Sequence, residues 1–238
     1  MSEIPNDRAR VDQVRAMFAA VAGRYDFCNR LLSFRRDVYW RRQMVKQMRF
    51  FQTNRYLDLA CGTADVALQC VKDYPEVEVV ALDFVPEMVD VAEQKITSAG
   101  MSEQIKVAVG DATCVDYPDN SFDSVGIAFG IRNIPDREKT LREMRRLVVP
   151  GGRIVVLELT MPEQRLVRMP YAVMLRTVMP MLAALFTGNR SAYKYLGESI
   201  LAFPSSDKFV GLMRKAGLQK IETFGMTFGV CRIFRGEK

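Results

Sequence analysis

The chain has 238 residues, 49% of them hydrophobic, enough to bury a full core as one domain without a second. It carries a formal net charge of +6 and no histidine, which excludes any mechanism that needs a histidine base or a histidine-rich metal site. Its five cysteines, at 28, 61, 70, 114 and 231, show no C-x-x-C spacing and no other ligand cluster, so the expectation is a reduced, cytoplasmic protein with neither a disulfide framework nor a metal.

The first ten residues are polar and show no apolar signal-peptide run. Val11, Val14, Phe18 and Val21 recur at helical spacing, and Gly23-Arg24-Tyr25-Asp26 is expected to break that helix. A further amphipathic stretch from about Asp37 carries Trp40, Met44, Val45 and Met48. Residues 1–50 therefore read as a helical cover over the rest, with Tyr25 either facing a cleft or anchoring its helix to the core.

The chain is organised around Tyr56-Leu57-Asp58-Leu59-Ala60-Cys61-Gly62-Thr63-Ala64-Asp65, an apolar strand that runs through a small-residue turn into a helical pattern. Ala60, Gly62 and Ala64 leave room beside the turn, and the following helix points unpaired N–H groups at whatever lies over it. Asp58 argues against a phosphate there and for a cationic group, an ammonium or a sulfonium. The pattern is neither G-x-G-x-x-G nor a lysine-containing phosphate loop. A second apolar strand, Val77 to Leu82, ends in Asp83, placed to accept ribose hydroxyls. Pro86 then opens a helix with Met88, Val91, Ala92 and Ile96 on one face. A third strand, Ile105 to Val109, leads to Gly110-Asp111-Ala112. Three acids at three successive strand ends predict a nucleoside site at the carboxyl edge of a sheet.

Further along, Phe122 to Phe129 reads as a central strand, and the loop Gly130-Ile131-Arg132-Asn133-Ile134-Pro135 follows it. Asp136 is placed to cap a helix with Leu141, Met144 and Leu147 as its buried stripe. Arg153 to Leu159 forms an apolar strand expected to be buried on both faces. Residues 161–203 read as a lid-like helical insertion, in which Met169, Tyr171, Met174, Met179, Met181, Leu182 and Phe186 alternate with Arg165, Arg168, Arg176, Arg190 and Lys194. With the basic run Arg30 to Arg49, this favours an apolar or interfacial partner, a peripheral membrane surface, over nucleic acid, while a lid that simply packs on the domain is compatible with it. A helix from Ser206 stopping at Gly217 and a hairpin over 220–234 close the chain. The whole predicts an α/β fold: a seven-stranded, mostly parallel, doubly wound sheet with an antiparallel edge hairpin.

The sequence resembles the class I methyltransferases that use S-adenosylmethionine, and more narrowly the ubiquinone/menaquinone-biosynthesis C-methyltransferases. The matching segments are Arg24-Tyr25-Asp26-Phe27-Cys28-Asn29 with Leu32-Ser33 and Trp40, Leu57-Asp58-Leu59-Ala60 with Gly62-Thr63, and Phe129-Gly130-Ile131-Arg132-Asn133. Pro150-Gly151-Gly152-Arg153 with Leu157-Glu158, and Tyr193-Lys194-Tyr195-Leu196 with Ser199-Ile200, continue the match. The resemblance implies S-adenosyl-L-methionine as cofactor, held by Asp58, Ala60, Gly62, Thr63, Asp83, Phe84, Asp111, Ala112 and Ala128. It implies a lipophilic prenylated quinol as acceptor, with a homodimer left open. Near that acceptor it places Tyr25, Asp26, Arg132, Asn133, Tyr193 and Tyr195. Asp26, Asp111 and the three tyrosines are candidate proton acceptors or relays, and Arg132 is a stabiliser of a developing phenolate. Another lipophilic or phenolic acceptor, or a non-catalytic membrane-associated scaffold, are the alternatives. The sequence departs from the family pattern at Cys28, Asp37 (histidine expected), Ala64 (glycine expected), Ala128 and Val149.

Overall fold

The computed structural model describes residues 7–178 and 190–238, with side chains described from 11 to 177 and from 194 onward. Four apolar runs, too uniformly hydrophobic for a strand with a solvated face, form the centre of a sheet. They are β1 (Arg55–Leu59), β2 (Glu78–Asp83), β4 (Phe122–Ala128) and β5 (Val148–Leu159), with β3 (Ile105–Val109) outside β2. The order is β3-β2-β1-β4-β5-β7-β6, with β1 to β5 parallel, and β7 (Cys231–Glu237) inserts antiparallel between β5 and the edge strand β6 (Gln219–Met226). The winding turns outward in both directions from the β1–β4 pair, so a crevice opens beyond their carboxyl ends.

Helices cover both faces. α4 (Asp65–Asp73), α5 (Pro86–Ser98) and α3 (Arg36–Val45) close one core, in which Trp40, Met44, Tyr56, Cys70 and Ile96 are buried. α6 (Arg137–Leu147) and α9 (Ser206–Lys215) close the other, around Phe122, Leu141, Met144, Phe209 and Phe234. Tyr56 faces the first core and its neighbour Leu57 the second, the two-residue alternation of a strand. Asp136 does cap α6, accepting the Lys139 N–H at 2.9 Å.

The cover differs from expectation in one respect. α1 (Asp7–Val21) ends in a 3-10 turn over Ala22–Arg24, and Tyr25 then starts a new helix, α2 (Tyr25–Leu32), where the sequence suggested only a break. The insertion comprises α7 (Arg165–Val173), a π-helical turn (Met174–Val178) and α8 (Arg190–Leu201). Met179, Met181, Leu182 and Phe186 of the Met-rich segment, and the side chain of Tyr193, lie outside the described residues.

Ala64, where glycine is expected, has φ +62°, a left-handed conformation that costs a non-glycine residue about 1–2 kcal/mol. Its methyl group is fully buried in the Trp40 core, away from the crevice.

One buried carboxylate fixes the entry to β1. Asp123, fully buried in β4, accepts the backbone N–H groups of Phe51, Gln52, Thr53 and Asn54 at 2.8–3.2 Å, so the turn before β1 folds around its side chain. Asp123→Ala leaves these four donors without their acceptor and is expected to lower stability by about 3 kcal/mol or more, read as a fall in the midpoint of urea unfolding. A loss under 1 kcal/mol would contradict this role.

Candidate active site

The turn after β1 packs its backbone against the ligand space. Ala60, Gly62 and Ala64 all have positive φ, at +49°, +56° and +62°, so the chain reverses without side chains entering the crevice. Gly130, after β4, is equally constrained: a Cβ there would lie 2.7 Å from the Ala60 Cβ. The crevice between these two turns holds a cleft of about 380 Å³ lined by Tyr25, Asp83, Phe84, Asp111, Ala112, Ala128 and Asn133, and roofed by Val11, Val14, Arg15 and Phe18 of α1. A small recess of about 20 Å³ shares the walls Tyr25, Ala60, Gly62 and Ala128 and adds Asp58, Thr63, Arg41 and Asp65.

The acids in this space differ sharply. Asp58 is 1% exposed; its Oδ1 accepts from the Tyr56 hydroxyl at 3.1 Å and its Oδ2 has no partner. Burial pushes its pKa up to about 7, against the lowering pull of the Tyr56 hydroxyl, the Ala67 backbone N–H and Arg41. Asp83 is raised too, by burial, but keeps both oxygens on backbone donors, Gly62 N–H at 2.7 Å and Val85 N–H at 2.9 Å. Asp111 is exposed at the mouth, where its Oδ1 accepts the Thr113 N–H at 2.7 Å. Phe84 presents its ring at the rim with the Arg15 guanidinium 5.3 Å from its centre.

Beyond Tyr25 lies a second cavity of about 110 Å³, walled by Asp37, Trp40, Arg41, Phe129, Arg132 and Tyr171, and by apolar residues of α2, α7 and α8. Arg132, expected on a loop, is 5% exposed. Its Nη1 donates to Glu158 Oε1 at 2.7 Å and to the Phe129 carbonyl, while its Nε is buried without a partner. Burial lowers its pKa, but Glu158, Tyr25 and Tyr195 together outweigh that and the net shift is upward, so the guanidinium is a fixed cation. Tyr195 donates to Asn133 Oδ1 at 3.0 Å, tying α8 to the loop after β4.

Asp26 stands apart from both spaces. Its carboxylate accepts from Thr63 Oγ1 at 2.6 Å and Lys95 Nζ at 2.6 Å, with Arg30 at 3.6 Å. Lys95 also reaches Asp65 at 2.6 Å, and Arg30 and Arg41 approach Asp65 at 3.3 and 3.7 Å. Asp26 is thus held in a charge network and lines neither the cleft nor the second cavity. No local sign marks Lys95, Asp65 or Arg41 as members of this network. Glu158 did carry one: a lone acid in an otherwise apolar, doubly buried strand must be paired.

The donor set fits S-adenosylmethionine. The unpartnered Asp58 Oδ2 suits the amino group of its methionine part, and Asp83 sits at the end of β2 where ribose hydroxyls are accepted. Fold and crevice together define a class I S-adenosylmethionine-dependent methyltransferase. The sequence pattern of the ubiE/COQ5 methyltransferase family matches residues 6–238, and the chain belongs to that family. It is 42% identical to the ubiquinone/menaquinone biosynthesis C-methyltransferase UbiE of Geobacter sulfurreducens over 95% of this chain and 89% of that protein. With the demethylmenaquinone methyltransferase of Deinococcus radiodurans it shares 41% identity over 94% of this chain and 92% of that one. A SAM-dependent methyltransferase from Aquifex aeolicus superposes with a TM-score of 0.65 at 16% identity, covering 92% of this chain and 97% of that chain.

Asp58 couples cofactor binding to pH. Its folded pKa of about 7 lies above the unfolded value near 3.9, so the apo fold loses stability as pH rises through that interval, while an ammonium ligand selects the ionised form. Calorimetric affinity for S-adenosylhomocysteine is expected to drop roughly tenfold per pH unit below about 7 and to level off above it, with Asp58→Asn flattening the profile. A pH-independent affinity in the unaltered chain would show that Asp58 does not meet the amino group.

Proposed function

We propose that this chain transfers a methyl group from S-adenosylmethionine to a ring carbon of a reduced, polyprenylated quinone, working in the cytoplasm at a membrane surface. The names of its relatives support the reaction, and the observation that carries the acceptor is the second cavity. It is apolar over most of its wall, carries the buried Arg132, and meets the cofactor cleft at Tyr25, which lines both.

Bound S-adenosylmethionine supplies an electrophilic methyl group on a sulfonium. The protein's share is to hold a flat phenolic ring in line with it and keep water out, the chief sources of rate in such a transfer. Trp40, Phe129 and Tyr171 give the ring apolar walls, and Arg132 offers a fixed positive charge to a hydroxyl oxygen that becomes a phenolate. Leu32, Leu159, Met174, Leu175, Leu196 and Ile200 continue the wall toward α7 and α8, the direction a prenyl tail would take.

The surface nearby suits a membrane. Leu166, Met169 and Val173 follow one another along α7 at 91, 68 and 56% exposure, and Phe34, at the α2–α3 turn, is 87% exposed. Arg35, Arg36, Arg165, Arg168 and Arg176 are exposed beside them, the pairing of apolar and basic groups that binds an anionic bilayer surface. Among the described residues no helix is long and apolar enough to cross a membrane.

Two measurements test this. Labelled S-adenosylmethionine is offered with reduced demethylmenaquinone, its oxidised form and a demethylated ubiquinol precursor; label in the reduced ring alone is expected, and label in none of them, with cofactor binding intact, would refute the acceptor. Separately, the chain is expected to sediment with phosphatidylglycerol vesicles and not with phosphatidylcholine ones. The double change Leu166→Ser with Met169→Ser should weaken that binding at least about tenfold, since each burial of such a side chain is worth roughly 1.5–3 kcal/mol. Equal sedimentation of both proteins would remove α7 from the interface.

A further inference from the structure

The second cavity contains a carboxylate that none of the roles above uses. Asp37, in the first turn of α3, is 3% exposed and lines the cavity wall. Its Oδ1 accepts from the Ser33 hydroxyl at 2.7 Å and its Oδ2 from Arg41 Nη1 at 2.6 Å. A carboxylate oxygen has two acceptor positions, so each keeps one for a ligand.

The remaining polar groups of that wall, among the described residues, are of other kinds. Tyr25, Asn29 and Ser33 come from α2 and the turn after it, Trp40 and Arg41 from α3, Arg132 from the turn after β4, and Tyr171 from α7. Behind them, Asp65 of α4 stands against Arg41, and Glu158 of β5 is held by Arg132. Among the described residues Asp37 is thus the one carboxylate on the wall, in a chain without histidine. Asp26, held in its charge network, does not line this cavity, and Asp111 lies exposed at the mouth of the other cleft.

We propose that Asp37 is the catalytic proton acceptor for the ring hydroxyl of the acceptor molecule; this rests on reading the cavity as the quinol site. The hydroxyl proton moves to an Asp37 oxygen as the ring carbon attacks the sulfonium methyl. A C–C bond forms, the C–S bond breaks, and its electron pair stays on the now neutral sulfur. The ring then loses the hydrogen of the methylated carbon to water, and the phenolate so restored recovers its proton from Asp37, leaving one proton in solution. Arg41 and Ser33 hold the carboxylate in place, and Arg132 faces the developing oxyanion. The histidine expected at this position from the resemblance would be a chemical equivalent, since a neutral imidazole also accepts a proton.

The test compares the full chain with Asp37→Asn and Asp37→His, measuring turnover of reduced demethylmenaquinone against pH together with S-adenosylhomocysteine affinity. Asp37→Asn keeps the size and one acceptor oxygen for Arg41, but its NH2 can only donate and it is not a base. It is expected to lose turnover about 10²- to 10³-fold at pH 7, with cofactor affinity within twofold, and to regain rate with unit slope as the substrate hydroxyl ionises in alkaline buffer. Asp37→His should recover most of the turnover and show an acid limb near the ordinary imidazole value of about 6.5. Turnover of Asp37→Asn within threefold of the unaltered chain, or a loss with no alkaline recovery, would overturn the inference. If Asp37→Asn does not bind the cofactor, Asp37→His decides alone: an unchanged pH profile there overturns it. Absence of methyl transfer by the unaltered chain would overturn the quinol reading first, and this inference with it.

Discussion

The site depends on the ammonium of Lys95. It bridges Asp26 of the cover and Asp65 at the start of α4, while the Thr63 hydroxyl donates to Asp26 from the turn between them. Arg30 and Arg41 add two more links from α2 and α3 to Asp65. Burial alone would raise the Asp65 pKa, but Arg41, Lys95 and Arg30 together pull it below the usual carboxylate range, so the network stays charged at neutral pH. Isolated exposed ion pairs contribute little; here five charges and a hydroxyl share partly buried partners, and each is positioned by more than one neighbour. The network pins α2 over the carboxyl edge of the sheet and so places Tyr25 between the cofactor cleft, the Asp58 recess and the second cavity, all of which it lines.

With the cover pinned, the molecule tolerates polar groups that an ordinary core would not. Asp58 Oδ2 and Arg132 Nε are buried without partners, at a cost of roughly 1–3 kcal/mol for each such group. Both border the spaces assigned to ligands, and both carry the charge type that the ligand lacks: an acid for an amino group, a cation for a phenolate. Asp83, by contrast, has each oxygen on a backbone donor and holds its shape without a ligand. Among the described residues Asp58 and Arg132 border the ligand spaces, while Arg55, Arg153 and Arg232, whose Nε atoms likewise lack a hydrogen bond, line none of them.

Much of this was legible because it is local. Each parallel strand announces itself as a short apolar run, and Asp58, Asp83 and Asp111 mark successive strand ends without reference to anything distant. Pro86 and Asp136 signal their helix starts within four residues. What the sequence hid depends on separation. Asp26 looked like a free acid because its partners Thr63 and Lys95 lie 37 and 69 positions away. Arg132 looked like a loop residue because Glu158 lies 26 positions further on. The restart of helix at Tyr25 follows from packing under α1 and over the turn at Gly62, which overrides the break that Gly23 suggests. Ala64 shows the reverse case: the sequence flagged the right position but not where its methyl group points.

Donor and acceptor are expected to occupy two cavities that meet at Tyr25. The most direct measurement is a crystal structure of the chain with S-adenosylhomocysteine and a short-tailed reduced naphthoquinone. The amino group of the cofactor product is expected on Asp58 Oδ2, its ribose at Asp83, and the ring between Arg132 and Asp37 on the far side of Tyr25. A ring bound elsewhere, or a cofactor whose amino group leaves Asp58 unpartnered, would contradict this arrangement.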